Sequence, residues 1–155
     1  MKKLNLTIVI ILLSLTTFSQ WKKANYVDDF GEKTENGYEY IITNDGSFSN
    51  SATQNAILLA KFVKDENGLL IYVYEYGRSL ASSIESTTEI VKMKKPDGQI
   101  IEFKDVYFTK KGLLLFSKDN FTKIKENTIE KGNYIMIFKR SGKYSESSYK
   151  IKFSI

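Results

Sequence analysis

Apolar side chains recur at every second position along most of this chain, and that period commits it to strands. The clearest run closes the sequence, where Tyr149, Ile151, Phe153 and Ile155 alternate with Lys150, Lys152 and Ser154. Successive side chains of an extended segment point to opposite faces, so such a run buries one face and wets the other. The same reading predicts strands over 38–43, 56–64, 69–76, 89–94, 100–106, 113–117 and 133–139. Segments 56–63, 69–74 and 134–138 are apolar at nearly every position, which predicts central strands covered on both sides.

Turn chemistry falls between these runs. Asn44-Asp45-Gly46, Asp65-Glu66-Asn67-Gly68 and Pro96-Asp97-Gly98 each offer a glycine where a hairpin needs positive φ. Lys110-Lys111-Gly112 and Arg140-Ser141-Gly142 are weaker forms of the same signal. One stretch breaks the period: Asp119 can cap a helix to about Asn127, with Phe121 and Ile124 spaced to face a core at an open end of the sheets. With no linker or repeat, the expected fold is all-β: a two-layer antiparallel β-sandwich of eight or nine strands with one short helix near 119–127.

The first 19 residues follow a different grammar. Lys2 and Lys3 precede an apolar run from Leu6 to Leu15, and Thr17-Phe18-Ser19 supplies a small-x-small exit. This is the pattern of a secretory signal peptide cut between Ser19 and Gln20, since the run is shorter than the roughly 20 residues of a membrane span. A retained N-terminal anchor is the competing reading. The expectation is an exported chain, periplasmic or secreted, with residues 20–155 as one domain and no membrane span after cleavage. A domain of that size needs no cross-link to fold, and the chain has no cysteine to provide one.

The composition also narrows the chemistry. There is no histidine and no cysteine, which removes Ser-His-Asp and Cys-His catalysis together with ordinary zinc, copper and haem ligation. No cofactor, no metal and no catalytic residue is expected. The formal charge of +5 is almost all lysine, and Arg78 and Arg140 are the only arginines. Guanidinium groups fork onto phosphates and bases, so no nucleic-acid partner is expected.

Carboxylates remain as the one route to hydrolysis. Asp29 with Glu75 could cleave a cell-wall or polysaccharide substrate if their carboxyl groups lay about 5–10 Å apart. The plainer reading gives one of Asp28 and Asp29 to a side-chain turn before Gly31. A calcium role for Asp28, Asp29 and Asp45 has no EF-hand spacing behind it. Tyr72, Tyr74 and Tyr76 alternate on one strand; facing outward they make an aromatic strip ending near Glu75 and Arg78, suited to a sugar or peptide. Because Ile71 and Val73 fill the other face, the favoured reading places them in the core. Trp21 reads as a staple for the first strand. Residues 46–53, Gly-Ser-Phe-Ser-Asn-Ser-Ala-Thr, read as a bulged strand edge rather than a polar contact patch.

Trp21, Asp28-Asp29-Phe30-Gly31, Gly46-x-Phe48-Ser49-Asn50-Ser51-Ala52-Thr53 and Tyr74-Glu75-Tyr76-Gly77 together resemble a group of small uncharacterised exported bacterial proteins. The likeness continues through Pro96-Asp97-Gly98 to the Ser-x-Tyr-x-Ile-x-Phe pattern at 147–153, and the leader ending Phe-Ser-Gln is similar to those of Bacteroidetes exports. That resemblance implies an exported stand-alone domain and no activity. The functional expectation is therefore a non-enzymatic module for a protein, peptide or glycan partner. Its candidate contact residues are Asp28, Asp29, Asn50, Tyr74, Glu75 and Arg78. These residues, the 46–53 run and the tyrosine strand are expected to converge in part at one end of the sandwich.

Overall fold

The computed structural model describes residues 21–81, 85–141 and 146–155. The leader and Gly142 lie outside the described residues. The strands are β1 (Lys22–Val27), β2 (Lys33–Ser49), β3 (Ala56–Lys64), β4 (Leu69–Glu75), β5 (Ser79–Leu80), β6 (Thr87–Lys94), β7 (Ile100–Phe108), β8 (Leu113–Phe116), β9 (Asn133–Ser141) and β10 (Glu146–Ser154), with a helix α1 (Lys118–Asn127) between β8 and β9.

The expected sandwich is wrong, because the sheet closes on itself. Its order is β2-β10-β9-β6-β7-β8-β4-β3, and β3 pairs back onto β2 to complete an eight-stranded antiparallel barrel. Strands β1 and β5 are additions on β2 and β4. Alternation cannot distinguish the two folds, since both bury one face of every strand. What closes the ring is the length of β2. Asn44-Asp45-Gly46 is not a hairpin turn but a bulge inside this continuous strand of 17 residues. The bulge bends β2 so that its second half pairs with β3 along one edge and β10 along the other. Before the bulge, residues 39–43 still pair with β3, and residues 33–38 run on beyond the barrel as an arm paired with β1.

Gly46 sits at that junction. A Cβ there would lie 2.9 Å from the Leu58 carbonyl oxygen and 3.1 Å from that of Lys150. Its glycine is needed for close approach rather than for positive φ. Among the expected turn glycines, Gly98 (φ 90°) and Gly112 (φ 75°) adopt the left-handed conformation. At the β3–β4 turn the work is done by Asp65, whose Oδ1 accepts from the Asn67 and Gly68 amides.

The barrel interior is one core. Phe48, Phe62, Phe103, Phe108, Tyr134, Met93 and Met136 fill it with at most 2 % exposure. Stacked and tilted rings link them, as in Phe62–Phe153 at 4.7 Å and Phe138–Tyr149 at 4.7 Å. Contrary to the expectation of central strands covered on both sides, β3 and β9 leave outer side chains exposed: Ile57 is 65 % exposed and Ile137 45 %. An apolar interior under a lysine-bearing exterior is the inverse of the pattern in a transmembrane barrel. No helix among the described residues is long and apolar enough to cross a membrane.

Helix α1 begins one residue before the expected cap. Ser117, not Asp119, caps it by accepting from the Asn120 amide. Phe121 and Ile124 are buried, as their spacing predicts. Asn120 and Lys123 donate to the Lys104 and Glu102 carbonyls, which ties the helix to β7. Beyond β5 the chain crosses to β6, leaving β8 beside β4. Arg140, a buried charge in the barrel wall, donates to the Ala81 and Glu85 carbonyls and lies 4.3 Å from the centre of the Phe108 ring. Those contacts tie Ala81 and Glu85 to β9.

Candidate functional site

Tyr72 and Tyr74 face outward, which corrects their placement in the core. Strand β4 puts Ile71 and Val73 inside at 0 % exposure, so the alternate tyrosines must stand on the outer surface. The register sets Tyr72 opposite Lys61 on β3 and Tyr74 opposite Leu59. Lys61 in turn lies opposite Ile42 on β2. The two rings stack with centroids 6.4 Å apart.

Two further tyrosines extend this surface. Tyr38 and Tyr40 share one face of β2, with centroids 6.1 Å apart. The Lys61 ammonium sits among them, 5.0 Å from the Tyr40 ring and 5.9 Å from those of Tyr38 and Tyr72. One cation thus holds rings from two strands on either side of its own. Tyr26 of β1 packs on Tyr38 at 4.9 Å and donates 2.7 Å to Asp65 Oδ2. That hydrogen bond pushes the Tyr26 phenol up to about 12 and lowers the Asp65 carboxyl. Trp21 packs against the core and carries the Lys64 ammonium 4.2 Å over its ring, as a staple does. All four central rings are partly exposed. The arrangement offers ring faces for stacking and hydroxyl edges for hydrogen bonds.

Tyr76 does not belong to it. It follows the end of β4 with φ 54° and packs edge-on against Phe48 at 5.0 Å. Glu75 likewise leaves the tyrosine face, because neighbours on a strand diverge. Its carboxylate accepts from the Tyr149 hydroxyl at 2.8 Å. Burial, then this contact, raises the Tyr149 phenol above its ordinary range. Arg78 is exposed in the following turn, where its amide donates to the Glu75 carbonyl. Tyr74, Glu75 and Arg78 are close in sequence without forming one contact surface.

The other predicted residues serve local turns. Asp28 Oδ1 accepts from the Phe30 and Glu32 amides, and Asp29 is exposed beside it at the tip of the β1–β2 arm. Asn50 Oδ1 accepts from the Ala52 and Thr53 amides, and Ser49 Oγ from the Asn55 amide. The 46–53 run therefore bonds largely to its own backbone, although its first half is a doubly paired strand and not an edge.

Asp29 and Glu75 do not meet. The arm tip adjoins Lys33, whereas Glu75 pairs with Leu58, opposite Gly46. The intervening stretch of β2 is on the order of 40 Å at strand rise. The expected convergence is thus confined to the 46–49 segment and the end of β4, with Asp28 and Asp29 at the far end. Among the described residues no three Asp or Glu side chains gather as a metal site would require.

Comparison with known proteins finds no matching family model, no similar curated protein and no matching solved structure.

The residues missed from sequence are Tyr38, Tyr40 and Lys61. The Tyr38-x-Tyr40 spacing was the available signal. Which sheet face it shared with Tyr72 depends on strand pairing, which no local pattern contains.

Proposed function

We propose that the protein is an exported, non-enzymatic binding module that takes a glycan on the outer tyrosine face of β2, β3 and β4. The observation that carries this reading is the outward projection of Tyr72 and Tyr74, with Tyr38 and Tyr40 gathered around Lys61. Sugar rings have apolar faces and hydroxyl rims, and a cluster of partly exposed phenols can meet both. Tyrosine also presents a large contact area at low entropic cost. A strand-mounted array is pre-organised, which reduces the ordering cost of binding. Export rests on the charged, apolar and small-residue sequence of the leader.

The test is a neutral-glycan array followed by titration of the best ligand against Tyr72→Ala, Tyr74→Ala and their combination. Each ring should contribute about 1 kcal/mol, so the double variant should bind about tenfold or more weakly. Its melting temperature should stay near that of the parent, because both side chains stand outside the core. Unchanged affinity in the double variant would remove this face from the binding role.

A further inference from the structure

The arm beyond the barrel ends in an open sheet edge. Strand β1 lies along residues 33–40 of β2, and no backbone hydrogen bond among the described residues reaches its other side. An edge strand leaves alternate amides and carbonyls free to receive another strand. Every residue of β1 except Ala24 is exposed, Val27 by 62 %. Phe30, in the turn that follows, is 92 % exposed.

The charges of this edge are sorted along it. Lys22 and Lys23 stand at its start, Asp28 and Asp29 at its end, and the residues between them are uncharged. Lys22 and Asp29 have no ionic partner among the described residues. Lys23 reaches Glu39 only at 4.0 Å, and Lys64 holds that carboxylate more closely at 3.0 Å. Asp28 engages Oδ1 with the Phe30 and Glu32 amides, which leaves Oδ2. Behind the acidic end, Glu32 and Lys33 offset each other. Lysine at an edge ordinarily discourages pairing. A parallel neighbour of the same sequence would indeed set lysines beside lysines and acids beside acids. An antiparallel one sets each lysine pair beside the other copy's aspartates. The other free stretch of the arm, residues 33–38, has Lys33 and Glu35 toward one end and no charge at the other, so it does not complement itself.

We infer that β1 is the interface of a homodimer, in which it pairs antiparallel with the β1 of a second copy about a two-fold axis near Asn25. A contact of this kind uses the same patch on both copies, so it closes at two. The symmetry makes the approach of Lys22 to Asp29 twice. It also brings the Phe30 ring beside the start of the partner strand, where Trp21 is partly exposed. An axis normal to the joined strands keeps Tyr26, Tyr38 and Tyr40 of both copies on one side of the sheet. On the glycan reading above, one extended ligand would then span two tyrosine faces. The dimer itself does not depend on that reading.

Sedimentation equilibrium of the purified protein, over a concentration series to about 1 mM, should show a reversible dimer. Lys22→Glu alone and Asp29→Lys alone should each weaken it about tenfold or more, because each turns two attractive approaches into two repulsive ones. An equimolar mixture of the two variants should associate like the parent. So should the double variant Lys22→Glu, Asp29→Lys, since both arrangements restore opposite charges across the axis. Both side chains are exposed, so melting temperatures should stay near that of the parent. The chain has no cysteine, so Asn25→Cys can form a disulfide only between copies. It should do so faster than Lys110→Cys, exposed in the β7–β8 turn. A monomer throughout the series, or a dimer that both single variants leave intact, would overturn this interface. Failure of the mixture and of the double variant to recover would overturn it too. Assemblies that grow beyond two would mean that β1 seats on residues 33–38 of the next copy, and would overturn the closed dimer. Tyr72→Ala with Tyr74→Ala should leave the dimer unchanged, so the interface and the tyrosine face can fail separately.

Discussion

Tyr149 joins the barrel core to a carboxylate at its rim. Its ring stacks on Phe138 at 4.7 Å, while its hydroxyl donates to Glu75. Burial and that carboxylate hold the phenolic proton more tightly in the folded chain than in the unfolded one, where the ordinary value is 10.0. A raised folded value means that the folded state binds more protons through this interval. The associated stability is complete below about pH 10 and is lost as pH climbs toward the folded value. Urea unfolding should thus give a flat free energy from about neutral pH to about pH 10 and a decline above it. Tyr149→Phe should cost about 1–3 kcal/mol at neutral pH, the value of a hydrogen bond to a charged acceptor, and should make the alkaline decline shallower. Tyr26 titrates in the same window through Asp65, so Tyr26→Phe is the companion variant. An unaltered alkaline slope in Tyr149→Phe would move the effect to other groups.

Among the elements, β10 shows how far periodicity reaches. Its alternation marks Tyr149, Ile151 and Phe153 as core, and all three are buried. Phe153 packs on Phe62 at 4.7 Å and Tyr134 at 5.4 Å, and the Ile155 backbone exchanges hydrogen bonds with Gly132. Deleting Phe153–Ile155 should cost at least about 3–5 kcal/mol, the range for losing a buried aromatic, and should abolish a cooperative thermal transition. A truncated protein that melts cooperatively near the parental temperature would contradict this. The period of two located most strands to within a few residues because it follows from extended-chain geometry. It could not say which strands touch. Asn44-Asp45-Gly46 carries the composition of a turn, yet pairing on both edges keeps it a bulge within β2. Tyr72 and Tyr74 were misplaced for the same reason. Ile71 and Val73 mark the inner face in either fold, but the period of two does not say whether a further layer covers the tyrosine face, and none does among the described residues. Asp28, Asp65 and Asn50 were legible as turn formers because their bonds are local.

At the scale of the molecule, closure makes β2 structurally divided. Residues 46–48 pair with both β3 and β10, whereas 33–38 pair with β1 alone. The arm can open by breaking one ladder, but the second half opens only when the ring does. Local opening in the arm should therefore be decoupled from global unfolding. Hydrogen exchange followed by mass spectrometry should show peptides spanning 44–49 exchanging at least about a thousandfold more slowly than those spanning 33–38, given ordinary domain stability. The same ring sets the tyrosine face, centred on β3–β4, opposite the wall of β9 and β6. Equal exchange in the two halves of β2 would mean that the β2–β10 seam is open. An open seam would part Ser47 on β2 from Lys150 on β10, while the β2–β3 and β3–β4 ladders would keep the tyrosine face intact.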